Sequence, residues 1–118
     1  MDRELKEIFG ESINVQRGGK TVSIDAAHLT YYGKNEEYIT WQILINQPGL
    51  CGNDEVLYTI YEVDVDVYSK GNYLDIENKV KEMMHDNSYV WVEDSEEMFE
   101  EDTKYYHKTI TFEKERIN

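Results

Sequence analysis

Hydrophobic and polar residues alternate most regularly over residues 56–68. One set of alternate positions is almost entirely apolar. The other set mixes three carboxylates with aromatic and aliphatic side chains: Tyr58, Ile60, Glu62, Asp64, Asp66 and Tyr68. A period of two is that of an antiparallel strand with one face in the core and the other towards water. The pattern therefore predicts a long, half-buried strand that is wet on one side.

Shorter runs of the same kind precede it. Residues 13–15 and 21–24 alternate on either side of Arg17-Gly18-Gly19-Lys20, which predicts a hairpin. We also expect an extended segment at residues 28–32. Residues 37–46 predict a strand with four large apolar residues on one face, Ile39, Trp41, Ile43 and Ile45. Residues 47–54, with the only proline and two glycines, predict a long hairpin loop.

Two segments follow helical spacing. Residues 2–9 predict a short helix with Leu5, Ile8 and Phe9 on one side and Gly10 at its end. After a turn at residues 69–72, apolar residues recur at the spacing of a helix face: Tyr73, Ile76, Val80, Met83 and Met84. Asn72 is the expected N-cap. The charged residues between them are expected to face outward: Asp75, Glu77, Lys79, Lys81 and Glu82.

The last third of the chain contains two more predicted strands, at residues 89–92 and 104–112. Lys108 interrupts the apolar face of the second one. A run of strands with one good helix indicates an α+β fold. We expect an antiparallel sheet with one main helix packed on a face and a short N-terminal helix. Because the sequence contains no linker and no internal repeat, we expect residues 1–118 to form a single domain.

Composition narrows the class of protein. The 118 residues include 12 Lys and Arg against 25 Asp and Glu, a net charge of −13. Such a balance disfavours contact with nucleic-acid phosphates or an anionic membrane surface. Cys51 is the only cysteine, and neither a signal peptide nor an apolar run of membrane-spanning length is found. The expectation is a reduced, intracellular domain.

The acidic residues are concentrated locally. Residues 93–102 contain seven acids and no base, which is more than half of the net charge. This run lacks the ligand spacing and glycine of an EF-hand. Two interpretations stay open: a solvated loop that Met98 and Phe99 pin to the body, or a charged collar that faces a partner or a pore.

Glu62, Asp64 and Asp66 are expected about 7 Å apart on one strand face. They could hold Mg²⁺ or Ca²⁺, but acids on an exposed strand face also prevent wrong pairing, which is the interpretation we favour.

Catalytic signatures are missing from the sequence. The three histidines occur singly, and no nucleophile elbow, Walker loop or dinucleotide fingerprint is present. We therefore expect no enzyme activity and no cofactor. Ten tyrosines and two tryptophans exceed what one small core needs. Because these residues are enriched at protein interfaces, they favour an assembly component.

The C-terminal two thirds of the sequence resembles a known family. Its motifs are Val63-Asp64-Val65-Asp66-Val67-Tyr68-Ser69, a helix, an acidic stretch with Phe99-Glu100-Glu101-Asp102-Thr103, and Lys104-Tyr105-Tyr106-His107-Lys108-Thr109-Ile110-Thr111-Phe112. In this order they are similar to the tail terminator proteins (tail completion or head–tail joining proteins) of long-tailed phages and prophages. The resemblance covers roughly residues 36–114. The first helix is shorter than is usual in that family.

The resemblance implies a structural protein without enzyme activity. Its protomers would form a hexameric ring on the head-proximal end of the tail tube, stop polymerisation of the tube and join it to the head. The implied partners are other copies of the chain, the tail tube protein and a head connector or neck protein. The implied locations are the host cytoplasm during assembly and then the virion tail.

The residues expected at a subunit or partner interface come from the two acidic features and the outward tyrosines. They are Tyr58, Glu62, Asp64, Asp66, Tyr68, Glu96, Glu97, Glu100, Glu101 and Tyr106. A collar of acids at a ring surface would also repel the phosphates of passing genome DNA. The alternatives are an acidic module that mimics DNA and binds a nucleic-acid enzyme, another neck or connector protein, and a metal-dependent enzyme.

Overall fold

A computed structural model describes residues 2–48, 51–52, 55–56 and 58–117. In these ranges the helices are α1 (Asp2–Phe9) and α2 (Leu74–Asp86). The strands are β1 (Ser12–Arg17), β2 (Lys20–His28), β3 (Tyr38–Pro48), β4 (Cys51–Gly52), β5 (Glu55–Val56), β6 (Tyr58–Ser69), β7 (Val90–Asp94), β8 (Met98–Phe99) and β9 (Tyr106–Ile117). The predicted α+β class is confirmed.

Seven of the described strands form one sheet in the order β1-β2-β3-β6-β9-β7, with β8 also on β9. The expected hairpin of β1 and β2 is present, with Arg17 opposite Lys20. The prediction of an antiparallel sheet is wrong for one pair of strands. Strands β2 and β3 are parallel, from Asp25 opposite Tyr38 to His28 opposite Trp41, so the sheet is mixed. Parallel neighbours need a connection that returns along the sheet, and residues 29–37 supply it.

That connection corrects the prediction of an extended segment at residues 28–32. Only His28 belongs to a strand. Leu29 has a φ of 65°, in the left-handed region that ends an extended run. Tyr31 then turns back and donates a 2.7 Å hydrogen bond from its hydroxyl to Asp25 Oδ2.

The long strand β6 lies in the middle of the sheet. Trp41 on β3, Val65 on β6 and Ile110 on β9 are directly opposite one another, and all three are almost fully buried. Both helices cover this side, which we call the helix face. Glu4 of α1 accepts a 2.5 Å hydrogen bond from Lys114 Nζ on β9, and the same Nζ lies 3.0 Å from the carbonyl oxygen of Asn87, just after α2.

The other side of the sheet is covered by neither helix, and we call it the open face. Its central residues are those that alternate with the core positions on three neighbouring strands: Tyr38, Thr40 and Gln42, then Glu62, Asp64, Asp66 and Tyr68, then His107, Thr109, Thr111 and Glu113.

A β-bulge at Leu44 changes the parity of β3. Ile43 is opposite Val63, but Ile45 is opposite Glu62, so one residue is inserted between them. This insertion interrupts the period of two that the sequence predicts along β3. The loop predicted at residues 47–54 contains the end of β3 and the short strand β4, which pairs with β5. The rest of that loop lies outside the described residues.

Helix α2 packs as predicted through Ile76, Val80 and Met84, which are fully buried. The capping position is Tyr73 and not Asn72, although Asn72 Oδ1 accepts a 3.0 Å hydrogen bond from the amide of Leu74. Glu77 was expected to face outward, but it is only 5% exposed. Among the described helices, none is long and apolar enough to cross a membrane.

Candidate assembly interface

The acidic segment is the outer strand and the tip of a hairpin. The register with β9 runs from Val90 opposite Glu113 to Phe99 opposite Tyr106. The tip closes through a 2.9 Å hydrogen bond from the amide of Glu100 to the carbonyl of Tyr105. Glu93, Asp94, Met98 and Phe99 are therefore paired on the sheet, whereas residues 95–97 and 100–103 lie outside the strands and are exposed. We call residues 90–99 the hairpin edge.

The hairpin edge carries the largest group of exposed apolar side chains close together in the described sequence. Their exposed fractions are 65% for Val90, 54% for Trp91, 47% for Val92, 47% for Met98 and 44% for Phe99. Strand β7 ends the sheet, and among the described strands none pairs with its outer side. An edge with free backbone groups and apolar side chains is a docking surface, or an aggregation hazard if nothing covers it.

Trp91 is exposed but fixed in orientation. Its indole Nε1 donates a 2.8 Å hydrogen bond to Asp94 Oδ1, and Lys81 Nζ lies 4.3 Å from the ring centroid. A cation over the face of the ring and an acceptor at its edge both restrict the side chain. Trp91 is thus pre-organised for contact, which reduces the entropy lost on binding.

A partly buried ionic network holds the hairpin on α2. Lys108 Nζ lies 2.7 Å from Glu77 Oε1 and 3.1 Å from Asp94 Oδ2, and Lys81 Nζ lies 3.2 Å from the same two oxygens. The hydrogen bond that Lys108 donates to Glu77 raises the pKa of Lys108. Burial alone would raise the pKa of Asp94, but hydrogen bonds from Lys108, Trp91 and Lys81 hold it below its usual value.

The exposed acids lie along this edge and its tip. Glu97 accepts a 2.6 Å hydrogen bond from the hydroxyl of Tyr73, and burial together with that bond raises the pKa of Tyr73 to about 12. Glu101 lies 3.4 Å from Lys104 at the tip. Within the described part of the chain, five acids of the segment make no ion pair: Glu93, Glu96, Glu97, Glu100 and Asp102.

Tyr106 lies on the helix face beside the hairpin edge. Its ring centroid is 4.9 Å from that of Phe99 and 6.5 Å from that of Tyr73. Tyr106, Tyr73 and Glu97 line a groove of about 540 Å³ between the start of α2 and the hairpin. The sequence predicts that Met98 and Phe99 hold the acidic segment on the body of the protein. Both residues pair with β9, although their side chains are close to half exposed.

A ladder of stacked rings crosses one end of the open face. Tyr31, Tyr38, Tyr68 and His107 follow one another with centroid distances of 4.1, 4.7 and 4.3 Å. The ring of Tyr105 meets Tyr38 edge-on at 5.9 Å. Tyr68 is therefore half-buried among its neighbours, and this burial raises its pKa to about 12.

The three carboxylates of β6 lie in a row on the open face, as predicted, but they are half-buried and not fully wet. Thr111 Oγ1 donates a 2.6 Å hydrogen bond to Asp64, and Thr109 Oγ1 and His107 Nε2 contact Asp66. Burial raises the pKa of Asp64, against the hydrogen bond from Thr111.

Glu62 is opposite Glu113, and Tyr58 is opposite Ile117. In the described ranges no three His, Cys, Asp or Glu side chains are grouped to hold a metal ion.

The ten predicted interface residues thus fall on two different surfaces. Glu96, Glu97, Glu100, Glu101 and Tyr106 belong to the hairpin, whereas the other five lie on the open face along β6. Sequence reasoning missed Val90, Trp91 and Val92. Their signal was three consecutive apolar residues in a short strand directly before an acidic run.

Neither a protein-family model nor a curated protein matches this chain.

Proposed function

We propose that this protein is a structural subunit of a phage tail, which caps the head-proximal end of the tail tube as a ring. The observation that carries the proposal is the hairpin edge, where five apolar side chains are exposed beside a free strand edge. A surface of this kind is stable in water when another protein covers it. The resemblance of residues 36–114 to tail terminators supplies the type of assembly.

The arrangement of the surfaces supports a ring. In a joining ring each subunit meets two kinds of neighbour, namely its own copies and a different protein. The hairpin edge is apolar and acidic, whereas the open face carries stacked rings and half-buried carboxylates. A joining protein also needs separate surfaces for its own copies and for the neighbouring tube or connector, and two unlike surfaces meet that need.

The acidic tip fits the passage of DNA through such a ring. Glu100, Glu101 and Asp102 are exposed at the end of the hairpin. Carboxylates at the rim of a channel repel phosphates and prevent DNA from adhering to the wall. These charges would therefore help the genome to pass through the ring without binding to it.

Light scattering on the purified chain mixed with tail tubes tests the proposal. We expect a closed oligomer of defined mass, either alone or on the tubes. Reversal of four charges (Glu96→Lys, Glu97→Lys, Glu100→Lys and Glu101→Lys) should leave the fold intact, because all four side chains are exposed, but should impair joining. A strict monomer at every concentration, with or without tubes, would contradict the ring. Wild-type phage titres from the reversed variant would contradict the role of the acids.

A further inference from the structure

We propose that the hairpin edge binds a cationic, extended segment of a different protein, which adds to β7 as a new strand. The proposal deepens the proposed function, and it rests on that function for the existence of a neighbouring protein. It adds the chemistry of that neighbour: a β-strand that contains both apolar and basic residues.

The backbone of β7 provides the first part of the argument. Val90–Asp94 pairs with β9 on one side, and no described strand occupies the other side. An extended segment placed there satisfies the free backbone groups, which is how β-augmentation gives affinity. Val90 and Val92, together with Glu113 and Glu115, line a groove of about 450 Å³ next to this edge.

The charges along the edge provide the second part. Glu93, Glu96 and Glu97 lie between the apolar residues 90–92 and 98–99 and make no ion pair in the described part of the chain. The nearby lysines are already engaged on the helix face, since Lys108 is bound to Glu77 and Lys114 to Glu4. An incoming segment therefore meets carboxylates that no local lysine neutralises, since Lys81 and Lys114 are paired with other acids. Electrostatic complementarity then selects a basic partner and speeds association.

The same charges decide against two other occupants. A second copy brings a net charge of −13 and the same acidic hairpin, so edge-to-edge pairing of two copies places like charges together. Phosphate groups of nucleic acid or lipid are repelled for the same reason. Trp91, held in place by Asp94 and Lys81, is the apolar anchor on which the partner's own apolar residues pack.

Synthetic peptides test this directly on the full chain. The probe is a ten-residue peptide of alternating Lys and Val with blocked termini. A Glu-Val peptide reverses its charge, and a Lys-Pro peptide keeps the charge but cannot pair as a strand. Of the two tryptophans, Trp41 is 1% exposed and Trp91 is 54% exposed, so a change in emission on titration reports on Trp91.

We expect the Lys-Val peptide to bind saturably and to slow hydrogen exchange of the amides of residues 90–99. The Lys-Pro peptide should bind at least about tenfold more weakly, and the Glu-Val peptide should not bind. Equal binding of the Lys-Val and Lys-Pro peptides would overturn the proposal, since charge alone would then suffice. Absent binding, or protection of other amides only, would also overturn it. So would self-association of the chain through residues 90–99, because a second copy would be the occupant.

A pair of variants separates the local charges from the overall charge. Glu93→Lys with Glu96→Lys should weaken binding of the Lys-Val peptide at least about tenfold. Glu82→Lys with Asp86→Lys makes the same change of charge on exposed positions of α2 and should stay within about twofold. Equal weakening by both pairs would contradict a local site.

The comparison of peptides on the unaltered chain does not depend on how the variants fold. If the protein caps tail tubes but does not bind the Lys-Val peptide, the strand-addition proposal is wrong and the proposed function stands. If it binds the peptide but does not cap tubes, the proposed function is wrong and the binding of a cationic strand stands.

Discussion

Lys108 Nζ on β9 lies 2.7 Å from Oε1 of Glu77 on α2, and both side chains are largely shielded from water. This contact joins the main helix to the strand that carries the hairpin edge. It also explains two irregularities at once, a lysine on the apolar side of β9 and a glutamate on the buried side of α2. Each is tolerated because the other is there.

Removal of Lys108 should destabilise the protein strongly. In Lys108→Met, Glu77 stays buried and keeps only Lys81, so we expect the free energy of unfolding to fall by about 3 kcal/mol. The double variant Lys108→Met with Glu77→Leu removes the buried charge and should recover most of the loss. Urea unfolding measures both. A single variant as stable as the wild type would show that the contact is not maintained in solution.

Arg17 should resist replacement by lysine. Its guanidinium lies 2.5 Å from Glu37 Oε2 and 2.5 Å from Asp75 Oδ2, and it joins the end of β1 to the start of α2. Lysine keeps the charge but loses the planar, forked geometry, so Arg17→Lys should cost about 1 kcal/mol in urea unfolding. Arg3→Lys is the matched control, because Arg3 is 93% exposed beside Glu7. An equally small effect at both positions would contradict the role of Arg17.

Asp64 should weaken the fold at neutral pH. Burial raises its pKa in the folded state, so below that pKa the folded protein binds a proton more readily than the unfolded chain does. The stability that comes from the protonated, neutral carboxyl of Asp64 is therefore lost as the pH rises through the pKa of Asp64 in the folded protein. Asp64→Asn should be more stable than the wild type at pH 7, by about 0.5 kcal/mol after allowance for solvent screening. The difference should vanish in acid. A less stable variant at pH 7, measured by urea unfolding, would contradict this.

Tyr68 should make stability fall in alkali. Its folded pKa is about 12, whereas tyrosine in an unfolded chain titrates near about 10. The unfolded chain therefore loses its proton first, and the contribution of Tyr68 is lost as pH rises from about 10 to about 12. Unfolding free energies measured across this range should decline less in Tyr68→Phe. Identical slopes for the two proteins would refute the burial of this hydroxyl.

Sequence periodicity predicted the local elements well, because they depend on local patterns. Strand β6 and the core face of α2 were both visible in the spacing of apolar residues. The bulge at Leu44 and the parallel pairing of β2 with β3 were not, since both depend on how distant strands meet. One inserted residue reversed the parity of Ile45, which no period-two pattern can anticipate.

The candidate interface was likewise predictable from the sequence only in part. The acidic run was evident from composition, but its position as the outer strand of a hairpin depends on pairing with β9. The stacked ladder from Tyr31 to His107 joins rings that are 76 positions apart in the sequence at its ends (107 − 31 = 76), so only the fold brings them together. The buried Glu77 was hidden because its partner Lys108 lies on another strand.

Electron microscopy of tail tubes grown in the presence of the purified protein tests the assembly claim most directly. We expect a ring of density at one end of each tube, and tubes that stop lengthening once the ring is in place. The Trp91→Glu variant, which puts a charge among the exposed apolar side chains of the hairpin edge, should give fewer capped ends at the same protein concentration. Tubes that carry no terminal density and grow to the same lengths with and without the protein would contradict the account.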